Sequence, residues 1–404
     1  MTGEPHTSWF RRCSASDRRR PQTTHIARIL AILVVITAEA QAEPATIAPL
    51  MPVFNNGVAR SWPTAVSANG SIIAGYSTRQ YGYASEACRW QGGTVVGLGD
   101  LPGYSDIWAG EPGSAAYGIS PSGMIIAGSV NSPRGYEAAL WSPWWHDWPA
   151  DMGDLPGGDF YSVAKAVTDN MVFVGTSHSA LGSEAFRWTD EGTMTGLGDL
   201  PGGAFDSTAN AISADGSVIA GAGTSAAGHE AFLWRNGVMT GLGDLPGGAF
   251  GSEATAISLD GSTIVGMGTS AGGQEAFIYR NGVMTGLGDL PGGSYYSYPY
   301  SVSGDGSIVV GSSSGGGAFI WDSAHGMRCL RDVLMNDYHL DLTDWELDNA
   351  TAISADGHTI VGVAFNRYIS GWTIGYVVTM PEPGSLALLI IGAAMISKGR
   401  KRRV

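Results

Sequence analysis

Five aspartates recur at one place in a repeated motif, GLGDLPGG or a close variant, and regularly spaced carboxylates are the first candidates for chemistry. They are Asp100, Asp154, Asp199, Asp244 and Asp289, at intervals of 54, 45, 45 and 45 residues. A ring of such carboxylates would suit Ca²⁺, a hard cation that takes oxygen ligands. In the alternative, each carboxylate accepts hydrogen bonds from backbone N–H groups of its own turn, because a residue repeated once per unit commonly serves that unit.

The segments that follow these aspartates are expected to be loops that join one unit to the next. They differ between repeats and are rich in aromatic residues, which makes them candidates for ligand contact. Exposed tyrosine and tryptophan side chains stack on sugar rings and hydrogen-bond through their polar tips. These candidate binding residues are Tyr104, Trp108, Phe160, Tyr161, Tyr295, Tyr296, Tyr298 and Tyr300. An insertion in the second repeat adds Trp144, Trp145 and Trp148. For all of these side chains, packing within the repeat array is the alternative role.

The sequence contains no recognisable catalytic constellation. Two Gly-x-Ser-x-Gly segments, at Ser270 and Ser313, have no following helix to present the serine as a nucleophile. Glycan hydrolysis would need two carboxylates about 5 to 9 Å apart on one face. The carboxylates in the variable segments are Asp106, Glu111, Asp159 and Asp206. We therefore expect a non-catalytic protein with no cofactor other than the Ca²⁺ considered above, and a secreted polysaccharide lyase or hydrolase is the alternative.

A second marker, the Asp-Gly of AISADGS, keeps the same interval and divides the chain into seven units. In the fourth unit, alternation and turn chemistry predict strands at 210–213, 217–223, 230–234 and 238–242. Asn236-Gly237, between the last two, is a strong hairpin signal. Four short antiparallel strands in about 45 residues are typical of a propeller blade. The sequence therefore predicts an all-β fold, a seven-bladed β-propeller of four-stranded antiparallel blades.

The last unit supplies three strands before Pro381 interrupts it, so one blade lacks its fourth strand. Residues 46–52 precede the first unit as the TGLGDLP segment precedes the others, and we expect this N-terminal strand to complete the last blade and close the ring. Closure would remove the exposed edges of an open array. An open β-solenoid is the alternative, because radial and linear stacking use the same nearest-neighbour contacts.

Two units, GHEAFLWRNGVMTGLGDLPGG and GQEAFIYRNGVMTGLGDLPGG, resemble the extracellular HAF repeat. Glutamate replaces the histidine of the family's name at Glu184, Glu230 and Glu275. The resemblance covers roughly residues 60 to 365. It implies an exported bacterial repeat protein of the cell surface or extracellular matrix, and it brings no established catalytic residues.

Both ends of the chain resemble targeting segments. Residues 1–42 have the charged flank, short apolar run and Ala-Gln-Ala cleavage site of a signal peptide. Residues 381–404 resemble the PEP-CTERM sorting signal, with Pro381, Glu382 and Pro383, a short apolar transmembrane stretch and a basic end. The resemblance implies an inner-membrane intermediate that an exosortase processes, and a permanent anchor is the alternative. The repeat domain is then residues 43–380.

The charge of residues 43–380 restricts the partners of the domain. This segment keeps 11 of the 22 basic residues and 32 of the 36 acidic ones, a net charge of −21. Such a surface repels nucleic acid and other polyanions. The expected partners are extracellular polysaccharide or a surface protein. Two cysteines, Cys88 and Cys329, fall in different units, and we expect separate thiols.

Overall fold

The computed structural model describes residues 44–53, 60–78, 85–101, 113–143, 149–367 and 373–381. Residues Pro44–Met380 form one compact unit. No helix in the described part of the chain is long and apolar enough to cross a membrane. The predicted signal peptide, residues 1–42, and Glu382 and Pro383 of the predicted sorting motif lie outside the described residues.

The described secondary structure is all-β apart from one short helix, as predicted, and consecutive strands pair antiparallel in groups of four. Group 1 comprises β2 (Arg60–Val66), β3 (Ile72–Thr78), β4 (Ser85–Gln91) and β5 (Thr94–Gly97). Group 2 comprises β6 (Ser114–Ile119), β7 (Ile126–Ser132), β8 (Gly135–Trp141) and β9 (Ala150–Asp151). Group 3 comprises β10 (Gly157–Val167), β11 (Phe173–Ser179), β12 (Gly182–Trp188) and β13 (Met194–Gly196). Group 4 comprises β14 (Thr208–Ile212), β15 (Val218–Ser225), β16 (Gly228–Arg235) and β17 (Val238–Gly241).

The remaining groups follow the same order along the chain. Group 5 comprises β18 (Glu253–Ile257), β19 (Thr263–Ser270), β20 (Gly273–Arg280) and β21 (Val283–Gly286). Group 6 comprises β22 (Ser297–Val302), β23 (Ile308–Ser313), β24 (Gly317–Asp322) and β25 (Gly326–Cys329), and the helix α1 (Leu330–Asn336) follows it. Group 7 comprises β26 (Trp345–Ile353), β27 (Thr359–Asn366) and β28 (Thr373–Thr379), joined by β1 (Thr46–Leu50) from the N-terminal end.

Two pairings link groups or distant parts of the chain. Groups 2 and 3 share one eight-stranded sheet through a parallel pairing of Tyr136 with Tyr161. β1 pairs antiparallel with β28, from Thr46 opposite Thr379 to Leu50 opposite Gly375. The N-terminal segment therefore supplies the fourth strand of group 7, at the place that the sequence predicts.

Group 4 illustrates why these residues form hairpins. Asn236 and Gly237 both have positive φ, 52° and 83°, which is the backbone of a type I′ turn. The observed strands agree with the four predicted ones to within a few residues. Along β14 the burial alternates, as period-two side chains require, whereas β15 lies between two strands and is buried over its first six residues.

The hydrophobic core lies between consecutive groups rather than within them. Each cluster of buried side chains in the described residues combines two neighbouring groups, and together they connect group 1 through to group 7. One further cluster joins group 7 to group 1: Leu50 of β1 and Val361 of β27 pack with Ile73 and Trp90. Burial of such apolar surface is the main stabilising term of the array.

The third strands of groups 3 to 7 each place a large side chain in this core at the same position. Phe186, Phe232, Phe277 and Phe319 are fully buried, and Tyr376 occupies the same place in group 7. The strand beside each of them carries a glycine because nothing larger fits. A Cβ at Gly266 would lie 2.0 Å from the backbone oxygen of Glu253 and 2.6 Å from the ring of Phe277. Cys88 and Cys329 are free thiols.

Candidate functional site

The first strand of every group contains a β-bulge at the same position. In group 4 the register shifts between Ala209 and Ala211, so Asn210 has no residue opposite it on β15. A bulge redirects the side chain that it carries. We call these residues the bulge positions, and they are Thr64, Tyr117, Lys165, Asn210, Thr255, Tyr300 and Thr351.

Four bulge positions have a structural role, because each donates a hydrogen bond to a backbone oxygen of the next group. The three threonine hydroxyls, in groups 1, 5 and 7, donate to Ala116 O (2.9 Å), Pro299 O (2.8 Å) and Pro63 O (2.7 Å) respectively. Asn210 Nδ2 donates in the same way to Ala254 O at 2.8 Å. Tyrosine or lysine replaces this small polar side chain in groups 2, 3 and 6.

These three exceptions, Tyr117, Lys165 and Tyr300, line one cavity of about 850 Å³, which lies along the first strands of groups 2 to 6. This volume is in the range of sites that hold small ligands. We call this space the inner cavity. The other lining residues are Tyr136, Tyr161, Val163, Thr176, His178, Ser183, Thr208, Asn210, Glu253, Thr255 and Tyr298.

Aromatic rings from groups 2 and 3 form one wall of the inner cavity. The ring of Tyr161 stacks on His178, with centroids 4.6 Å apart, and on Tyr136, with centroids 6.0 Å apart. The hydroxyl oxygens of Tyr117 and Tyr136 lie 3.4 Å apart. Burial raises the pKa of Tyr136 well above its usual value, so this hydroxyl stays protonated and can donate at neutral pH.

Group 6 contributes a second aromatic pair, Tyr298 and Tyr300, on β22. Their ring centroids are 5.0 Å apart and the rings are tilted by 53°. Burial and the nearby charge of Glu253 raise the pKa of Tyr298 well above its usual value. The cavity is therefore lined by flat apolar faces together with neutral hydroxyl groups, a combination that suits a ligand that is apolar on its faces and polar on its edges.

A row of polar side chains crosses groups 3, 4 and 5 within the cavity. Lys165 Nζ donates to Thr208 Oγ1 at 3.0 Å and to Asn210 Oδ1 at 2.8 Å. Asn210 Nδ2 in turn donates to Glu253 Oε1 at 3.0 Å. Burial lowers the pKa of Lys165, and the charge of Glu253 offsets part of this effect.

The sequence-predicted aromatic residues have different positions in the structure. Tyr161, Tyr298 and Tyr300 line the inner cavity, although they lie in strands and not in the connecting loops where the sequence suggests them. Phe160 and Tyr295 are exposed and do not line this cavity.

Phe160 contacts a charged side chain, Tyr296 is bonded to a recurring aspartate, and the five remaining aromatic candidates lie outside the described region. The Arg134 guanidinium lies 5.3 Å from the ring centroid of Phe160. Tyr296 N donates to Asp289 Oδ2 at 3.0 Å. Outside the described residues lie Tyr104, Trp108, Trp144, Trp145 and Trp148.

The recurring aspartates of the repeated motif hold the connections between groups. Asp244 Oδ1 accepts hydrogen bonds from the backbone N–H groups of Leu245 and Thr269, and Oδ2 accepts one from Gly251, all at 2.8 Å. Asp199 makes the equivalent three bonds, and Asp154 and Asp289 accept comparable bonds in their groups. Burial raises the pKa of Asp100. Among the described residues, no group of three His, Cys, Asp or Glu side chains is placed to hold a metal ion.

The carboxylates suggested for catalysis that fall in the described region are not among the residues that line the inner cavity. Asp159 and Asp206 are exposed and lie outside its lining, and Asp106 and Glu111 lie outside the described residues. The glutamates of the third strands have a structural role. Glu184, Glu230 and Glu275 accept hydrogen bonds from backbone N–H groups at 2.9 to 3.0 Å, and the donors are Gly198, Gly243 and Gly288 respectively.

Sequence reasoning missed five important residues of the cavity, namely Tyr117, Tyr136, Lys165, Asn210 and Glu253. The signal was present in the repeat. When the units are aligned on their Ala-Ile-Ser-type segments, the bulge position is threonine in three units and tyrosine or lysine in three others. Variation at one position of an otherwise regular repeat is typical of a site that has a role beyond the fold.

Comparisons with known proteins do not assign this chain to a family. No protein-family model matches the sequence, and no curated protein matches it. Among solved structures, TolB from Acinetobacter baumannii is 14% identical over 78% of this chain and 82% of that one, with a TM-score of 0.38. A putative TolB from Agrobacterium tumefaciens is 16% identical over 80% and 90%, with a TM-score of 0.39. A Mycobacterium tuberculosis puromycin-hydrolyzing peptidase is 14% identical over 78% of this chain and 52% of that one, with a TM-score of 0.49. At these identities and TM-scores, the similarities indicate neither an activity nor a ligand.

Proposed function

We propose that the seven strand groups are the blades of one closed β-propeller. Three contacts between groups 7 and 1 support closure: Thr351 Oγ1 donates to Pro63 O, Gly375 N donates to Ser61 Oγ at 2.9 Å, and the apolar cluster around Leu50 spans both groups. The first of these contacts repeats the bonds from group 1 to group 2 and from group 5 to group 6. This repetition supports an array in which group 7 precedes group 1 as any other blade precedes its neighbour.

We further propose that the protein binds a saccharide in the inner cavity. The observation that carries this proposal is the replacement of the interblade threonine by Tyr117, Lys165 and Tyr300 at the cavity. Tyrosine rings offer flat apolar surfaces to the C–H faces of a sugar, while their hydroxyls hydrogen-bond the sugar's edges. The ring pair Tyr161–His178 and the ring pair Tyr298–Tyr300 provide two such surfaces.

The binding that we propose is non-catalytic. Glu253 is the carboxylate among the cavity-lining residues of the described chain, whereas hydrolysis of a glycosidic bond commonly uses two. One Glu253 oxygen is also held by the Asn210 amide. A polysaccharide lyase or hydrolase is the competing class, and detection of cleaved product would establish it.

The location that we propose is the cell surface or the extracellular matrix. This proposal rests on the sequence, in which residues 1–42 resemble a signal peptide and residues 381–404 resemble a PEP-CTERM tail. An exosortase-type enzyme would then process the protein at the inner membrane. A net charge of −21 in residues 43–380 favours neutral or sparsely charged glycans over nucleic acid.

The experiment that tests the proposed function is a glycan-binding screen of the purified protein, with simultaneous analysis of the glycans for cleavage. Two adjacent substitutions provide a matched pair, because Tyr161 lines the cavity and Phe160 does not. We expect Tyr161→Ala to weaken binding about tenfold or more, from loss of one stacking surface, and Phe160→Ala to leave it nearly unchanged. Equal losses in the two variants, or no glycan binding at all, would contradict the cavity as a saccharide site.

A further inference from the structure

Lys165 is the one lysine in residues 43–380, and it lies in the inner cavity. It occupies the bulge position of β10, where groups 1, 5 and 7 carry threonine. A lysine has no need to be here for the contact between blades, because the shorter threonine makes that contact elsewhere. Contact between the groups therefore does not explain why a lysine lies in the cavity of a strongly acidic domain.

The ammonium group of Lys165 contacts neutral oxygens only, within the described part of the chain. Both of its hydrogen-bond acceptors, Thr208 Oγ1 and Asn210 Oδ1, are uncharged. The ion pairs among the described residues, at distances up to 4.0 Å, do not include Lys165. A lysine ammonium has three N–H donors, so one donor remains after these two bonds.

Asn210 lies between Lys165 and Glu253, the carboxylate of the cavity lining. Its Oδ1 accepts a hydrogen bond from the lysine, and its Nδ2 donates to the carboxylate and to Ala254 O. This double donation fixes the orientation of the amide, so its oxygen stays directed at Lys165. A partly desolvated cation without a contacting anion is unfavourable, and burial accordingly lowers the pKa of Lys165.

We infer that the saccharide bound in the inner cavity carries a carboxylate, as a uronic acid unit does, and that Lys165 binds this carboxylate. The inference rests on the proposed saccharide binding and names the class of sugar. The ligand carboxylate supplies the counter-ion that the protein does not place in contact with Lys165, through a charge-assisted hydrogen bond. The tyrosine rings bind the sugar's faces in the same cavity.

The charge of the rest of the domain defines the ligand further. Residues 43–380 have a net charge of −21, which repels a densely charged polyanion. Glu253 adds a negative charge close to the cavity's cation. A single uronic acid unit in an otherwise neutral glycan satisfies both conditions. Its one carboxylate binds Lys165, and the rest of the glycan has no negative charge for the acidic surface to repel.

The test compares pairs of disaccharides that differ only in oxidation of one C6 from hydroxymethyl to carboxylate, each titrated into the full-length protein by calorimetry. We expect the protein to bind the acidic member about tenfold or more tightly than the neutral one, in at least one pair. Lys165→Met, which keeps the length and apolar stem of the side chain, is expected to abolish this preference. Glu253→Gln is expected to strengthen binding of the acidic member several-fold, because it removes a nearby like charge.

The possible results separate this inference from the proposal on which it rests. Equal or weaker binding of every acidic member would overturn the role of Lys165 while neutral binding still supports a saccharide site. Retention of the acid preference by Lys165→Met, with the variant shown to be folded by its circular dichroism spectrum, would also overturn it. Weaker binding of the acidic disaccharide by the Glu253→Gln variant would also contradict the role of Lys165. Absence of binding to any disaccharide would refute both proposals together.

Discussion

Closure of the blade array predicts a specific stability loss for Thr351→Val. Thr351 Oγ1 donates to Pro63 O at 2.7 Å, across the contact between groups 7 and 1. Valine has nearly the same shape but no hydroxyl, so the variant loses this bond and leaves the oxygen of a buried residue without this donor. A typical hydrogen bond contributes about 1 kcal/mol net, and an unsatisfied buried acceptor raises the loss to about 1–3 kcal/mol. We therefore expect the free energy of unfolding, measured with urea, to fall by about 1–2 kcal/mol.

The repeat supplies a matched control for this prediction. Thr255 makes the equivalent bond to Pro299 O at 2.8 Å, and both hydroxyls also lie 3.3 Å from an oxygen on the adjacent strand of their own group. Thr255→Val and Thr351→Val should therefore destabilise the protein equally. In an open array Thr351 would face solvent, and its replacement would change stability by no more than about 0.5 kcal/mol. A loss in Thr255→Val without one in Thr351→Val would refute closure.

Three further predictions concern the repeated turns. Asp244→Ala should lower the free energy of unfolding by about 2–3 kcal/mol, because its carboxylate accepts three backbone N–H bonds. If these aspartates act through such bonds and not through Ca²⁺, removal of divalent cations with EDTA should leave the melting temperature unchanged, and a clear drop would revive the calcium interpretation. Hydrogen bonds from Ser213 and Ser217 lower the pKa of Asp215 to about 2. Since the folded-state pKa is below the unfolded value, Asp215 stabilises the fold at pH above about 4 and this contribution is lost as the pH falls towards 2. Asp215→Asn should therefore make the free energy of unfolding depend less on pH between about 4 and 2. The same pH dependence in the variant and the unsubstituted protein would contradict this assignment.

Much of the fold could be predicted from the sequence because the same turn residues and the same alternation of apolar and polar positions recur in most units. Asn236-Gly237 marks a hairpin, and the alternation around it marks the paired strands. The missing fourth strand of the last unit indicated that β1 pairs with β28. The short helix α1 was not predicted, since seven residues are too few for a clear period. Its buried residues, Leu330, Val333 and Leu334, nevertheless have helical spacing.

The cavity was less predictable than the fold, for a geometric reason. A side chain at a bulge leaves the simple alternation of a strand, so period-two reasoning does not say where Lys165 or Tyr117 points. The segment that contains Tyr298 and Tyr300 follows a recurring aspartate and was expected to be a loop, yet it lies in β22, where Pro299 stands beside a bulge and is tolerated. Proximity of Lys165, Asn210 and Glu253 depends on the packing of three groups, which no single repeat encodes.

The most direct test of saccharide binding in the inner cavity uses Lys165 as a spectroscopic probe. The full chain contains Lys165, Lys398 and Lys401, so protein labelled with ¹³C at the lysine Cε gives few signals, and Lys165→Met identifies the one from the cavity. Titration with the tightest-binding saccharide from the screen should shift the Lys165 signal in step with saturation and leave the other two in place. Saturation of binding without any change in the Lys165 signal would contradict the account.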